Sequence, residues 1–150
     1  MGIYTVNIPS DITLAAATPK TILAAINSAN GVIKLVEWSV SFSGTSATDT
    51  PVLIDLCAVS TTTAGTATAH TPVQKKGPSR TAQFTAKRDF TVEPTAVAVL
   101  NSWRCHPQSG MVVQYPLGRE PDQWVGSYSL TLRVTAPAQV ACRGYMDIEE

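Results

Sequence analysis

The feature that most limits what this chain can fold into is alternation with a period of two. In "VIKLVEWSVSF" the apolar Trp38, Val40 and Phe42 alternate with Glu37, Ser39 and Ser41. A half-buried strand needs this pattern, because successive side chains point to opposite faces. "SYSLTLRVT" places Tyr128, Leu130, Leu132 and Val134 on one face and Ser129, Thr131 and Arg133 on the other. "QVACRGYMDI" does the same with Val140, Cys142, Gly144, Met146 and Ile148, and "PVLIDLCAV" with Val52, Ile54, Leu56 and Ala58. Shorter candidates are "IYTVNI", "ITLAA", "TAVAVL", "MVVQY" and, more weakly, "TAQFTA". Turn chemistry separates them, in clusters such as "NSANG", "KKGPS", "HPQSG" and "PLGREPD". Many short strands so punctuated predict an all-β domain, a sandwich or a barrel. With 150 residues the chain fits one domain, which buries roughly 70% of the surface exposed when unfolded.

One segment carries mixed signals. "TPKTILAAINSANG" has Thr18 as an N-cap, Pro19 in the first helical position, Ile22 and Ile26 four apart and Gly31 as a stop. These predict a short helix near residues 19–29, although the β-branched pair Thr21 and Ile22 suits a strand as well.

"VEWSVSFSGTSATDTPVLIDL" joins two alternating segments through small polar residues. If the two form a hairpin, the simplest register sets Phe42 against Val52, Val40 against Ile54 and Trp38 against Leu56. That leaves residues 43–51 as a loop, long for a hairpin, so the alternative is a crossing between two sheets.

Charged residues are only 15% of the chain, eleven basic against eleven acidic. That balance argues against nucleic-acid binding by bulk charge. A free-standing domain usually keeps a net charge away from zero, so this composition points to life within an assembly. The N-terminal "MGIYTVNIPSD" lacks the basic and apolar regions of a secretory signal, and Val6 stands where a myristoylation signal wants Ser or Thr. No apolar run reaches the length of a membrane span. The expectation is a soluble protein of a cytosol-like compartment, with Cys57, Cys105 and Cys142 reduced.

Candidate chemistry is thin. In "WRCHPQSG" Cys105 and His106 are neighbours, with Arg104 available to favour a thiolate, but adjacent side chains on an extended chain point apart. His70, Cys57, Cys105, His106 and Cys142 lack the repeat spacing of a metal site. The acid pairs Glu120 with Asp122 and Asp89 with Glu93 fall in turns or beside proline. No cofactor, metal or catalytic residue is expected.

Two segments are candidate partner contacts. "KKGPSRTAQFTAKR" collects Lys75, Lys76, Arg80, Lys87 and Arg88 without an acid, of which Lys75, Lys76 and Arg80 are the favoured contacts; a solvated edge is the plainer reading. "YPLGREPDQW" sets Tyr115, Arg119 and Trp124 around Pro116, Gly118 and Pro121, the residue types of an interface hot spot. Closure of one end of the core by Tyr115 and Trp124 is the alternative.

The segments "TLAAATPKTIL", "VEWSVSFSGTSATDTPV" and "YPLGREPDQW", within a Thr- and Ala-rich, charge-poor β composition, resemble the head decoration (cement) proteins of tailed bacteriophages. The resemblance implies a jelly-roll-like antiparallel β-sandwich, usually a homotrimer, seated on the outer surface of the virion, where it reinforces contacts between major capsid proteins. It carries no individual residue role with it. The competing expectations are a carbohydrate- or receptor-binding β-sandwich of a phage tail or fibre, stacking sugars on Trp103, Trp124 and Tyr115, and a small hydrolase using Cys105 or an acid pair.

Overall fold

The computed structural model describes residues 1–43, 50–60, 65–124, 126 and 128–150. They form two antiparallel sheets packed face to face. The strands in chain order are β1 (Ile3–Asn7), β2 (Ile12–Leu14), β3 (Pro19–Ile26), β4 (Ile33–Ser43), β5 (Val52–Ser60), β6 (Thr66–His70) and β7 (Val73–Lys76). The rest are β8 (Thr85–Val92), β9 (Val97–Cys105), β10 (Gly110–Gln114), β11 (Asp122–Gln123), β12 (Tyr128–Thr135) and β13 (Val140–Glu149).

The first sheet runs β10-β4-β13-β1-β7, with β11 also on β4 and β2 also on β13; the second runs β6-β8-β3-β12-β5-β9. The alternation does what it predicts. Trp38, Val40 and Phe42 of β4 and Val140, Cys142, Met146 and Ile148 of β13 turn inward from the first sheet. Val52, Ile54 and Leu56 of β5 and Leu130, Leu132 and Val134 of β12 meet them from the second.

Two expectations are corrected. The proposed helix at 19–29 is strand β3, paired with β12 on one flank and β8 on the other. Ile22, Leu23, Ala24 and Ala25 are all buried, since an interior strand covered on both faces reads as a continuous apolar run, which periodicity alone does not separate from a helix. Pro19 opens the strand, where its missing N–H is tolerated. The second correction concerns β4 and β5. They do not form a hairpin: β4 pairs β13 and β10, while β5 pairs β12 and β9. Their inward residues coincide because the strands face each other across the core, so the chain crosses between sheets there. Residues 44–49 of that crossing lie outside the described residues.

A second crossing lies beside the first. β9 ends at Cys105, opposite Val52, and β10 begins at Gly110, opposite Ser41. The four residues between them carry the chain from one sheet to the other. Both sheets therefore end on this flank in exposed edges, β9 in one and β10 with β11 in the other. The opposite flank is made by β7 and β6, joined through Thr71 and Pro72. The chain's two ends meet on β1 and β13, where Gly2 N–H donates to the Glu150 carbonyl at 3.0 Å and Glu150 N–H donates to the Gly2 carbonyl at 3.1 Å.

The second sheet buries polar groups on the face turned away from the core. Asp55, Thr21, Ser129 and Thr131 are all buried there. Arg133 donates to Asp55 Oδ2 and Ser102 Oγ donates to Asp55 Oδ1 at 2.6 Å. Just past Arg88, where the ladder between β8 and β3 ends, Asp89 takes a positive φ of 51° and pairs with Lys20 at 2.7 Å. The unpaired Thr21 N–H is then satisfied by the Glu93 carboxylate, at 2.8 and 2.9 Å, which also accepts from Thr21 Oγ1 at 2.6 Å.

Candidate partner-binding surface

The segment 115–124 is an excursion from an edge strand. β10 and β11 lie end to end along β4, and the chain between them leaves the sheet and returns. Tyr115 N–H donates to the Val36 carbonyl at 2.9 Å, and Leu35 N–H donates to the Pro121 carbonyl at 2.8 Å, which pins both feet of the loop. At its tip Arg119 N–H donates to the Pro116 carbonyl at 3.0 Å, closing a turn with Gly118 third at φ 80°. A type II turn needs positive φ at that position, which is why glycine stands there.

The turn has a clear consequence for Leu117. As the second residue of the turn it points away from the sheet and is 93% exposed. Trp124 follows at 67% exposure, its Nε1 donating to Asp122 Oδ2, and Arg119 is exposed beside the tip. Tyr115 behaves otherwise. It is half-buried against the core, and its hydroxyl lies buried without a hydrogen bond. Burial raises that hydroxyl above its ordinary value, and the neighbouring Trp38 indole offsets part of the rise. The hot-spot segment is thus divided: Arg119 and Trp124 face outward, while Tyr115 belongs to the interior.

Further apolar side chains are exposed on the edge strands, but on opposite outer faces of the sandwich, since Val99 stands in the row of Cys57 and Val112 in the row of Ser39. Val99 and Leu100 on β9 are 48% and 43% exposed, and Val112 on β10 is 61% exposed. Behind them Trp103 packs on Trp38, ring centroids 4.9 Å apart and tilted by 59°. Met111 and Val113 are half-buried on the core as well. Of the three aromatic residues considered as stacking platforms, Trp103 and Tyr115 are held by the core and only Trp124 presents a free ring.

The basic segment lies on the opposite flank. Lys75 on β7 donates to Asp147 Oδ2 at 2.6 Å and sits over the Tyr145 ring at 5.4 Å. Arg80 donates to Glu150 Oε1 at 3.0 Å, and its carbonyl accepts from the Tyr4 hydroxyl at 3.2 Å. Lys76 is exposed at the end of β7. Lys75 and Arg80 are therefore bound by carboxylates of their own chain.

The candidate chemical groups are placed apart or used in turns. Cys105 is buried, its thiol near Ser109 Oγ at 3.3 Å, while His106 Nδ1 accepts the Gln108 N–H at 3.2 Å within its own loop. Desolvation raises the Cys57 thiol to about 11 and the Cys142 thiol to about 12. All three cysteines are free and buried. Asp122 accepts from Trp124, Asp89 holds Lys20 and Glu93 holds Thr21. Among the described residues no three His, Cys, Asp or Glu side chains gather as a metal site would require, and no helix is long and apolar enough to cross a membrane.

Leu117, Val99, Leu100 and Val112 escaped sequence reasoning. The signal for Leu117 was available: a bulky apolar residue between Pro116 and Gly118 in a turn is placed where it cannot reach a core. Val99 and Val112 gave none, since an exposed edge reads like any short strand. No family model, curated protein or solved structure matches the chain.

Proposed function

We propose that this protein is a non-enzymatic structural component of a tailed-phage virion, bound to the outer surface of the assembled capsid and reinforcing contacts between major capsid proteins. The observation that carries the reading is the loop 116–121, pinned at both feet, which holds Leu117 at 93% exposure with Arg119 exposed in the same turn, while Trp124 is exposed just beyond β11. An apolar side chain, an arginine and an indole exposed on one braced excursion are the residue types of an interface hot spot. The resemblance to decoration proteins supplies the partner, and a jelly-roll winding and a homotrimer belong to the same reading.

A decoration protein binds the assembled shell better than free subunits, so its binding energy becomes shell stability by linkage. Several subunits around an axis add avidity, which lets each contact be weak. The requirements are a stiff scaffold, neutral faces and projecting loops, with no cofactor and no active site. Co-sedimentation with expanded capsids tests the proposal. Binding to shells but not to free capsid protein, weakened at least tenfold by Leu117→Asp, is expected; no binding to any shell form overturns it.

A glycan- or receptor-binding role in a phage tail or fibre is the second reading, favoured by the free indole face of Trp124 at 67% exposure. Glycan-array binding that disappears in Trp124→Ala would select it over the first.

A further inference from the structure

We infer that Asn30 is a site of spontaneous covalent modification, at which ring closure onto Gly31 converts the asparagine to isoaspartate and releases the hold that Asn27 has on β11. The chemistry is the same whatever the loop 116–121 binds, so its test is separate from that of the proposed function.

An asparagine is open to attack at its side-chain carbon, Cγ, by the backbone nitrogen of the residue that follows. A side chain on that next residue shields the nitrogen, whereas glycine leaves it bare and its backbone free to turn. Of the four asparagines, Asn30 alone precedes a glycine; Asn7 precedes Ile8, and Asn27 and Asn101 precede serines. Placement sharpens the choice. Asn7 and Asn101 lie within β1 and β9, whose ladders hold the backbone extended. Asn27 is 6% exposed, and its Nδ2 donates to two carbonyls. Asn30 is exposed in the turn between β3 and β4, where one hydrogen bond, from the Gly31 N–H to the Ser28 carbonyl at 3.2 Å, restrains the attacking nitrogen. An exposed turn opens at far lower cost than a strand within a sheet. The glycine is itself demanded by packing, since a Cβ on Gly31 would come within 2.6 Å of Ser28 Oγ and 2.9 Å of Asn27 Oδ1.

The reaction needs only water. The Gly31 nitrogen bonds to Asn30 Cγ, the bond from Cγ to the amide nitrogen breaks, and that nitrogen leaves as ammonia with the Gly31 proton. Water then opens the cyclic imide at one of its two carbonyls, and the ring nitrogen takes up a proton. Opening at Cγ gives aspartate. Opening at the backbone carbonyl gives isoaspartate, whose main chain runs through the former side-chain carbon and is longer by that carbon.

The surroundings leave no slack for the added length. Asn27 Nδ2 donates to the Gly31 carbonyl at 2.7 Å and to the Gln123 carbonyl at 2.8 Å, so one amide ties the turn to β11. On its other side the turn lies against Gly126, where an added Cβ would come within 2.4 Å of Ala29 Cα. A longer main chain between Ala29 and Gly31 therefore moves the Gly31 carbonyl off the Asn27 amide and loosens the tie to Gln123. β11 consists of Asp122 and Gln123 alone. It is the second foot of the excursion that carries Leu117 and Arg119, with Trp124 just beyond it. Ageing at Asn30 thus acts on the candidate partner surface.

Incubation of the full chain at mildly alkaline pH, followed by peptide mapping that separates aspartate from isoaspartate, tests this. Asn30 should be lost at least tenfold faster than Asn7, Asn27 or Asn101, faster still as pH rises, with isoaspartate among the products and none formed at this position in Asn30→Ser. In the aged wild type the Leu35 amide, which donates to the Pro121 carbonyl beside β11, should exchange hydrogen at least tenfold faster than in fresh protein or in aged Asn30→Ser. Loss of Asn30 no faster than that of Asn101 overturns the site. Isoaspartate at position 30 with unchanged exchange at Leu35 overturns the release of β11. Fresh and aged wild type supply both comparisons if Asn30→Ser does not fold.

Discussion

Asp55 and Arg133 stand directly opposite each other on β5 and β12, and the guanidinium donates to Asp55 Oδ2 from Nη2 at 2.8 Å and from Nε at 3.3 Å. The pair lies on the face of its sheet turned away from the core, the carboxylate only 6% exposed and the arginine 25%. A buried charge that loses its partner is expensive, whereas replacing both members with apolar groups is often neutral. Asp55→Ala should therefore cost about 2–4 kcal/mol, and Asp55→Val/Arg133→Met should recover at least about half of it. Urea denaturation of Asp55→Val, Arg133→Met and the double variant, beside Asp55→Ala, measures this, and a double-variant loss equal to the sum of its two single losses would contradict it.

Gly144 lies in the middle of β13 opposite Val40, with its carbonyl accepting the Ile8 N–H at 2.9 Å. A Cβ placed there would come within 2.4 Å of the Ser39 carbonyl oxygen. Backbone, unlike the end of a flexible side chain, cannot swing aside. Gly144→Ala should thus lower stability by about 1–3 kcal/mol despite the smallest possible increase in size. A thermal melt within a degree of wild type would refute the argument.

Two tyrosines should answer the same substitution in opposite ways. The Tyr145 hydroxyl donates to Glu37 Oε1, whereas the Tyr115 hydroxyl is buried with the Trp38 indole beside it and makes no hydrogen bond of good geometry. Removing a hydrogen bond to a charged group costs about 1.5–3 kcal/mol when buried and less when partly solvated, while removing an unpaired buried hydroxyl relieves desolvation. Tyr145→Phe should destabilise by about 1 kcal/mol, and Tyr115→Phe should be neutral or stabilising by up to about 1 kcal/mol. Chemical denaturation of both variants under one buffer condition decides it.

Stability should decline at high pH. The Tyr145 hydroxyl is raised to about 12, chiefly by its hydrogen bond to Glu37 and then by burial. Desolvation raises the thiols of Cys57 to about 11 and Cys142 to about 12. Each group prefers its protonated form in the folded state, so its contribution is complete below the ordinary values of 9.0 for thiols and 10.0 for tyrosine. It disappears as pH rises from there through about 11 to 12. His70 acts at the other end. Burial, and then Arg88, lowers it below 6.5, so its contribution is complete above that pH and falls as the solution is acidified. Unfolding free energies measured from pH 5 to 11 should show both declines, and His70→Gln should flatten the acidic one.

Strands whose core face is apolar and whose other face is polar were legible because that contrast imposes alternation: β4, β12 and β13 could be read with their inward residues correct except Tyr128, which opens β12 and is 41% exposed. β3 defeated the same rule because its two faces are both covered, which erases the period. The β4–β5 pairing was misjudged for a related reason. Matching apolar faces is required of strands that face across a core as much as of strands that lie side by side, and the sequence does not distinguish the two. β6, β7 and β8 went unread because they carry Thr, Ala and charged residues, β6 and β7 at sheet edges and β8 next to one, with little apolar signal. The surface site was half legible. Gly118 announced the turn at 116–119, but the inward rotation of Tyr115 depends on Trp38, which is remote in sequence.

The pairing of Gly2 with Glu150 sets how this molecule bears load. Because β1 and β13 run antiparallel from that point, a pull applied between the two ends breaks their hydrogen bonds one after another, as a zipper opens. A pull along β9 against β5 loads all of the ladder at once, in shear. Anchored through its ends the domain would peel at small force, and anchored through its β9–β10 flank it would act as a rivet.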